Sequence, residues 1–253
     1  MPILTNKKIY FSSDQHFGVP SVEKSREREK LFVKWLDMAE KDAEHIFLLG
    51  DLFDFWFEYK SVVPRGYARV LGKIARITDK GIPVTFFVGN HDMWMWDYFE
   101  KELGVKVYHK PKVFEFSGKK FFIGHGDGLG PEDKGFKRMK KLFTNPVAKW
   151  LFARLHPNLA VGIANYFSRK SRLANGDTDM VFMGEDKEWL IKYAERKLET
   201  MDVDYFLFGH RHLAMDIKLS KGARYINTGE WVKGRSYAVF EEGELYLREF
   251  LDN

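Results

Sequence analysis

The stretch His45–Asp54 reads HIFLLGDLFD, an apolar run broken by a glycine and followed by two carboxylates. His45-Ile-Phe-Leu-Leu49 has the length and composition of a strand buried on both faces. Gly50 allows the chain to turn sharply directly after it, so Asp51 and Asp54 emerge at the carboxyl end of that strand. The arrangement repeats. Lys8–Phe11 precedes Ser13-Asp14-Gln15-His16, Pro83–Val88 precedes Gly89-Asn90-His91-Asp92, Lys120–Ile123 precedes Gly124-His125-Gly126-Asp127, and Asp204–Phe208 precedes Gly209-His210-Arg211-His212.

Between the first three runs lie helical patterns. Ser25–Lys41 carries Leu31, Trp35 and Met38 at helical spacing, and Arg65–Lys80 carries Tyr67, Val70, Leu71, Ile74 and Ile77. Strands alternating with helices indicate crossovers and a largely parallel sheet. After Phe208 the spacing shortens to strands over Met215–Leu219, Ala223–Ile226, Tyr237–Phe240 and Leu245–Phe250. Gly-containing turns at 221–222 and 242–243 mark these as antiparallel. The pattern predicts an α/β fold of two face-to-face mixed β-sheets flanked by helices.

A single Asp-x-His after a strand is usually a surface turn, and Asn-His-Asp is usually a helix cap. Five such clusters in order, each at the same end of an apolar run, converge on one crevice, because ligands of open α/β sheets bind at the carboxyl ends of strands. Asp, Asn and His supply oxygen and imidazole donors, and the chain has no Cys, so the set suits manganese, iron or zinc rather than a soft metal. One carboxylate shared by two ions is an economical way to hold them about 3.5–4 Å apart, where they polarise a phosphoryl oxygen and activate a water.

These five clusters resemble the calcineurin-like metallophosphoesterases, whose pattern is Asp-x-His, Gly-Asp, Gly-Asn-His-Asp, Gly-His and Gly-His-x-His. The resemblance implies the αββα metallophosphoesterase sandwich. It assigns Asp14, His16 and His212 to one divalent ion, Asn90, His125 and His210 to a second, and Asp51 as the bridge, with Mn2+ the first choice of metal and Fe or Zn the alternatives. It also implies that His91 stands beside the phosphate, held by Asp92, as general acid or stabiliser of transition-state charge.

One stretch does not belong to this sandwich. Phe136–Arg172 reads FKRMKKLFTNPVAKWLFARLHPNLAVGIANYFSRKSR and contains no acid. Counted from Lys134 it holds ten of the 41 Lys and Arg residues, so the rest of the chain sets 31 cations against 36 acids and the overall +5 conceals a strongly basic segment. Its apolar residues step by three or four, and Pro146 and Pro157 divide it into short helices. The division expected is a core over 1–130 and 174–253 with an inserted basic helical cap over 131–173.

Gly50-Asp51-Leu52-Phe53, His125-Gly126-Asp127, an acidic loop and the Phe-initiated basic segment carry a narrower resemblance, to the UDP-2,3-diacylglucosamine diphosphatase family of lipid A biosynthesis. That family cleaves the pyrophosphate of its substrate to UMP and 2,3-diacylglucosamine 1-phosphate. The resemblance implies substrate contacts from Asn90, Asp133, Arg169, Lys170, Ser171 and Arg172, an anionic glycolipid-nucleotide substrate, and a cap whose apolar face accepts acyl chains while its cations meet phosphate and the inner-leaflet surface. Many members carry Arg where this chain has His91, which brings Gly-Asn-His-Asp closer to the general phosphoesterase pattern.

The N-terminus MPILTNKKIYFSSD has no apolar segment of signal-peptide form, and no uncharged apolar run approaches the roughly 20 residues that span a bilayer. A cytoplasmic protein peripherally associated with the inner membrane is expected. Two rivals follow from the same residues. A metallophosphoesterase for another nucleotide, phosphodiester or phosphoprotein needs no lipid-binding cap. A nucleic-acid-binding protein is suggested by the pI near 9.1, yet the chain shows no nucleic-acid motif, so no nucleic-acid partner is expected. The residues do not indicate an oligomeric state.

Overall fold

The computed structural model describes residues 7–131, 134–175 and 181–252, the side chains of residues 134–136, 165 and 169–175 excepted. Two mixed sheets pack face to face. The first, in spatial order β11-β10-β1-β2-β3-β4, uses β1 (Lys8–Ser12), β2 (Ala43–Leu48), β3 (Val84–Phe87), β4 (Lys106–Tyr108), β10 (Ser236–Glu241) and β11 (Glu244–Glu249). The second, β5-β6-β7-β9-β8, uses β5 (Lys112–Phe116), β6 (Lys119–Ile123), β7 (Tyr205–Phe208), β8 (Ala214–Lys218) and β9 (Arg224–Thr228). β1 to β4 run parallel, as do β6, β7 and β9, so the ligand-bearing ends of both sheets point the same way.

Alternation along the strands builds three apolar layers. Ile9, Phe11, Phe47, Leu49, Phe87, Phe121, Ile123 and Leu207 fill the space between the sheets. Their neighbours Tyr10, Ile46, Leu48 and Phe86 face outward, onto α1 (Val22–Ala39), α2 (Ala68–Asp79) and α3 (Tyr98–Leu103). On the opposite side Phe122, Phe206 and Phe208 meet α7 (Trp189–Leu198). Two-sided burial is why these strands read as unbroken apolar runs.

The final four strands differ from a simple meander. β8 and β9 are antiparallel neighbours, but β10 leaves that sheet and lies antiparallel to β1. Edge strands β4 and β5 do not read as apolar runs, because both are short, partly exposed and interrupted by charged residues, KVY and KVFEF. The basic segment forms α4 (Lys134–Phe143), α5 (Pro146–Phe152) and α6 (Pro157–Asn175), with Pro146 and Pro157 each opening a helix. Asn145 caps α5 through the amides of Val147 and Ala148. Among the described residues no helix is long and apolar enough to cross a membrane.

Candidate metal centre

Every predicted donor leaves the carboxyl end of a strand, Asp14 and His16 after β1, Asp51 after β2, Asn90 after β3, His125 after β6, and His210 and His212 after β7. Asp14, His16, Asp51, His210 and His212 take positive φ values of 56°, 47°, 53°, 68° and 50°, a conformation that costs an L-residue about 1–2 kcal/mol. Backbone hydrogen bonds between neighbouring loops hold them there: Asp14 N–H to Gly50 O at 3.0 Å, His16 N–H to Asp51 O at 2.9 Å and Gly209 N–H to His125 O at 2.9 Å. Gly89 and Gly209 are required by packing, since a Cβ at either would overlap the carboxylate of Asp51 or Asp14. From below, buried Arg28 of α1 donates to the carbonyls of Gln15, His16 and Val19.

The side chains form three overlapping groups, one of them His16, Asp54 and His91. Asp14, His16, Asp51 and His212 offer ligand atoms within 4.8 Å of one another, as do Asp51, His125 and His210. Asp51 belongs to both of these. Its Oδ2 lies 3.4 Å from His125 Nε2 and 3.9 Å from His16 Nε2, while its Oδ1 accepts from the His91 amide at 2.8 Å. Asn90 joins the second group through Oδ1, 3.2 Å from His125 Nε2. Asp14, His16, Asp51 and His125 form a buried floor, and Asn90, His91, His210 and His212 a half-buried rim.

These residues fit a pair of divalent cations. Asp14 Oδ2 is engaged by Ser13 and the His210 amide, but its buried Oδ1 accepts no hydrogen bond. That oxygen faces His212 Nε2 at 3.2 Å and His16 Nε2 at 3.7 Å, and the two Nε2 atoms are 3.0 Å apart. Buried charge of this kind calls for a counter-ion. His125 directs Nδ1 to the carbonyl of Leu49 at 2.7 Å. A carbonyl only accepts, so Nδ1 carries a proton and Nε2 is the nitrogen left to face a metal.

Electrostatics support the same division. Burial pushes His16 and His210 down to about 4, so both are neutral near pH 7. Burial also lowers His125, but the adjacent Asp51 carboxylate outweighs it and raises His125 to about 10. Burial acts upward on Asp14, yet the imidazoles of His16 and His212 beside its carboxylate hold it well below the usual carboxylate range. Asp51 is likewise held low, against burial, by the charges of His125 and His91.

Two expectations change. Asp92 does not hold His91. Its two carboxylate oxygens accept the amides of Gly89 at 2.7 Å and Leu52 at 2.8 Å, tying the loops after β2 and β3 together. Burial, then the Asp51 charge, pushes Asp92 up to about 8. His91 instead donates from Nδ1 to the Asp54 carbonyl at 2.8 Å. A residue next in sequence points across the turn, whereas the loop after β2 crosses beneath the imidazole. Lys140 is not simply a cation for phosphate or membrane, because its ammonium pairs with buried Asp127 beside the crevice. Of the expected substrate contacts, Asp133 and the side chains of Arg169, Lys170, Ser171 and Arg172 lie outside the described residues.

Sequence reasoning assigned no role to Asp54, Asp127 or Arg211. Asp54 and Asp127 each stand two or three residues beyond a ligand, and Arg211 lies between two of them, where it makes a bidentate pair with buried Glu188 at 2.7 and 2.8 Å. The position just past each ligand was the available signal.

Residues 7–214 match the calcineurin-like phosphoesterase family, to which this chain belongs. The chain is 39% identical to the UDP-2,3-diacylglucosamine hydrolase of Porphyromonas gingivalis, over 97% of this chain and 98% of that protein. It is 27% identical to the enzyme of the same name from Histophilus somni, over 81% of this chain and 84% of that one. A solved phosphoesterase from E. coli aligns over 96% of this chain and 92% of its own, with 17% identity and a TM-score of 0.46.

Proposed function

We propose that the protein hydrolyses the pyrophosphate of UDP-2,3-diacylglucosamine to UMP and 2,3-diacylglucosamine 1-phosphate, using two divalent ions, manganese foremost. The observation that carries this reading is the 39% identity to the P. gingivalis hydrolase over 97% of the chain, which takes in the crevice and the three-helix segment together. Asp14, His16 and His212 would hold one ion, Asn90, His125 and His210 the other, with Asp51 between them. When bound, such ions polarise phosphoryl oxygens and lower the pKa of an attacking water.

The protein's own groups supply the rest. His91, with Nδ1 committed to the Asp54 carbonyl, turns its other nitrogen to the crevice rim, where it can donate a proton to the departing phosphate oxygen. In the balanced reaction the water oxygen joins the uridylyl phosphorus, the P–O bond to the bridging oxygen breaks, and that oxygen leaves with the glycolipid phosphate.

The segment α4–α6 acts as the cap in this reading. A groove of about 550 Å³ opens between α5 and the loops after β2 and β3, walled by Phe57, Tyr59, Trp96 and Trp150 and edged by Lys60, Lys149 and Arg154, with Glu58 and Asp97 also in its lining. Apolar walls with a cationic edge suit an acylated, anionic substrate presented at the inner-leaflet surface, and a cytoplasmic protein held peripherally at that surface follows. The test is turnover with manganese of UDP-2,3-diacylglucosamine, UDP-glucose and a simple phosphodiester side by side. Efficient cleavage of the lipid substrate with little of UDP-glucose is expected, and equal rates on all three would overturn the substrate assignment.

A further inference from the structure

Asp54 faces two ways. Its Oδ1 lies 3.7 Å from His16 Nδ1 and 3.6 Å from His91 Nδ1, and its Oδ2 accepts a 2.9 Å hydrogen bond from Ser168 on α6. The carboxylate is 3% exposed. His16 turns its opposite nitrogen, Nε2, toward Asp14 and Asp51, and the rings of His16 and His91 meet edge to face at 4.9 Å. A carboxylate behind a ligating imidazole fixes its tautomer and ring orientation. The Asp54 carboxylate therefore stands behind a floor ligand while its main-chain carbonyl holds the rim imidazole, and the three-helix segment reaches the carboxylate through one hydroxyl.

The hydroxyl is not explained by the helix that carries it. Serine is a poorer helix former than alanine, and Ser168 spends its hydroxyl on a group from another part of the chain. We propose that Ser168 is a positioning residue: its hydrogen bond holds the Asp54 carboxylate behind His16 in the orientation that sets His16 as a metal ligand. The inference rests on the metallophosphoesterase reading of the crevice and adds to it a dependence of the metal site on α6.

The test compares full-length wild type with Ser168→Ala, Ser168→Thr and Asp54→Asn. Two readouts are taken, manganese affinity by calorimetric titration, and kcat and KM on bis(p-nitrophenyl) phosphate, a small soluble diester that needs no lipid groove. Alanine favours the helix, so circular dichroism should show α6 intact. Asp54→Asn should weaken one of the two manganese ions by roughly 10- to 100-fold, the range for loss of a partner behind a ligand. Ser168→Ala, one bond further out, should weaken the same ion by about 3- to 10-fold and lower kcat by a similar factor with KM unchanged. Ser168→Thr, which keeps a hydroxyl, should restore both. Wild-type affinity and kcat in Ser168→Ala would overturn the inference, as would a loss that threonine does not restore, since that would report packing. A wild type that neither binds manganese nor cleaves the diester would instead overturn the family reading, and this inference with it.

Discussion

The crevice and the three-helix segment above it are built on opposite principles. In the crevice the floor is buried, and each carboxylate divides its two oxygens between a protein donor and the imidazole cluster. In α4–α6 the large apolar side chains face outward: Leu142, Trp150 and Phe167 are 62%, 56% and 60% exposed. The segment's contacts with the core include Phe152 against Phe55, Phe57 and Trp94, Phe143 and its carbonyl on Trp94, Lys149 over Trp96, Lys140 on Asp127, and Ser168 on Asp54. A preorganised donor set performs chemistry without rearranging, whereas an exposed apolar and cationic surface is unfinished until something covers it. The first should tolerate almost no change, and the second should trade binding without touching the chemical step.

The hardest test of that division is Asp51→Ala. One carboxylate serves both ligand groups, so turnover of every substrate should vanish and both ions should weaken, measured by metal analysis of the purified variant. Two fully bound ions would remove the bridging role and with it the picture of a single shared site. His91→Ala should come next, lowering kcat by about 10² to 10⁴ with metal content unchanged, because its Nδ1 is committed to the Asp54 carbonyl and the family resemblance places it beside the phosphate rather than among the metal ligands.

On the other side of the comparison, Arg138, Lys141, Lys149 and Arg154 can be replaced together by Gln. Lys140 is left out because it pairs with Asp127. At about 1 kcal/mol per cation near an anionic surface, the four changes together should raise KM for vesicle-borne lipid substrate by up to roughly 10³-fold while kcat on a soluble diester stays level. Added salt should bring the wild type toward the variant. A matching loss on the soluble diester would mean that the two regions are not separable in function.

The smallest effect concerns the core alone. His45, whose Nε2 lies 2.9 Å from Thr85 Oγ1, is pushed by burial from 6.5 down to about 4. Between those values the unfolded chain takes up a proton that the folded chain refuses, so stability falls as pH drops from about 6.5 toward 4. Urea midpoints of metal-free protein should show this slope together with the same contribution from His16 and His210, and His45→Gln should reduce it without abolishing it.

The sequence by itself determined the parts of this protein that depend on local order. Apolar runs of five or so residues, each ending at Gly or Ser beside a donor, specify buried strands with ligands at one end, because a strand packed on both faces is mostly apolar along its length. Pro146 and Pro157 similarly announced where helices begin. Tertiary structure alone decided what lies behind the ligands. Nothing in the order Asn90-His91-Asp92 says that Asp92 would lock two loops while Asp54, 37 residues earlier, held His91. Nor could sequence spacing bring Ser168 to Asp54 across 114 residues, since a hydrogen bond between distant residues exists only after the sheets and helices have packed and fixed which loops cross.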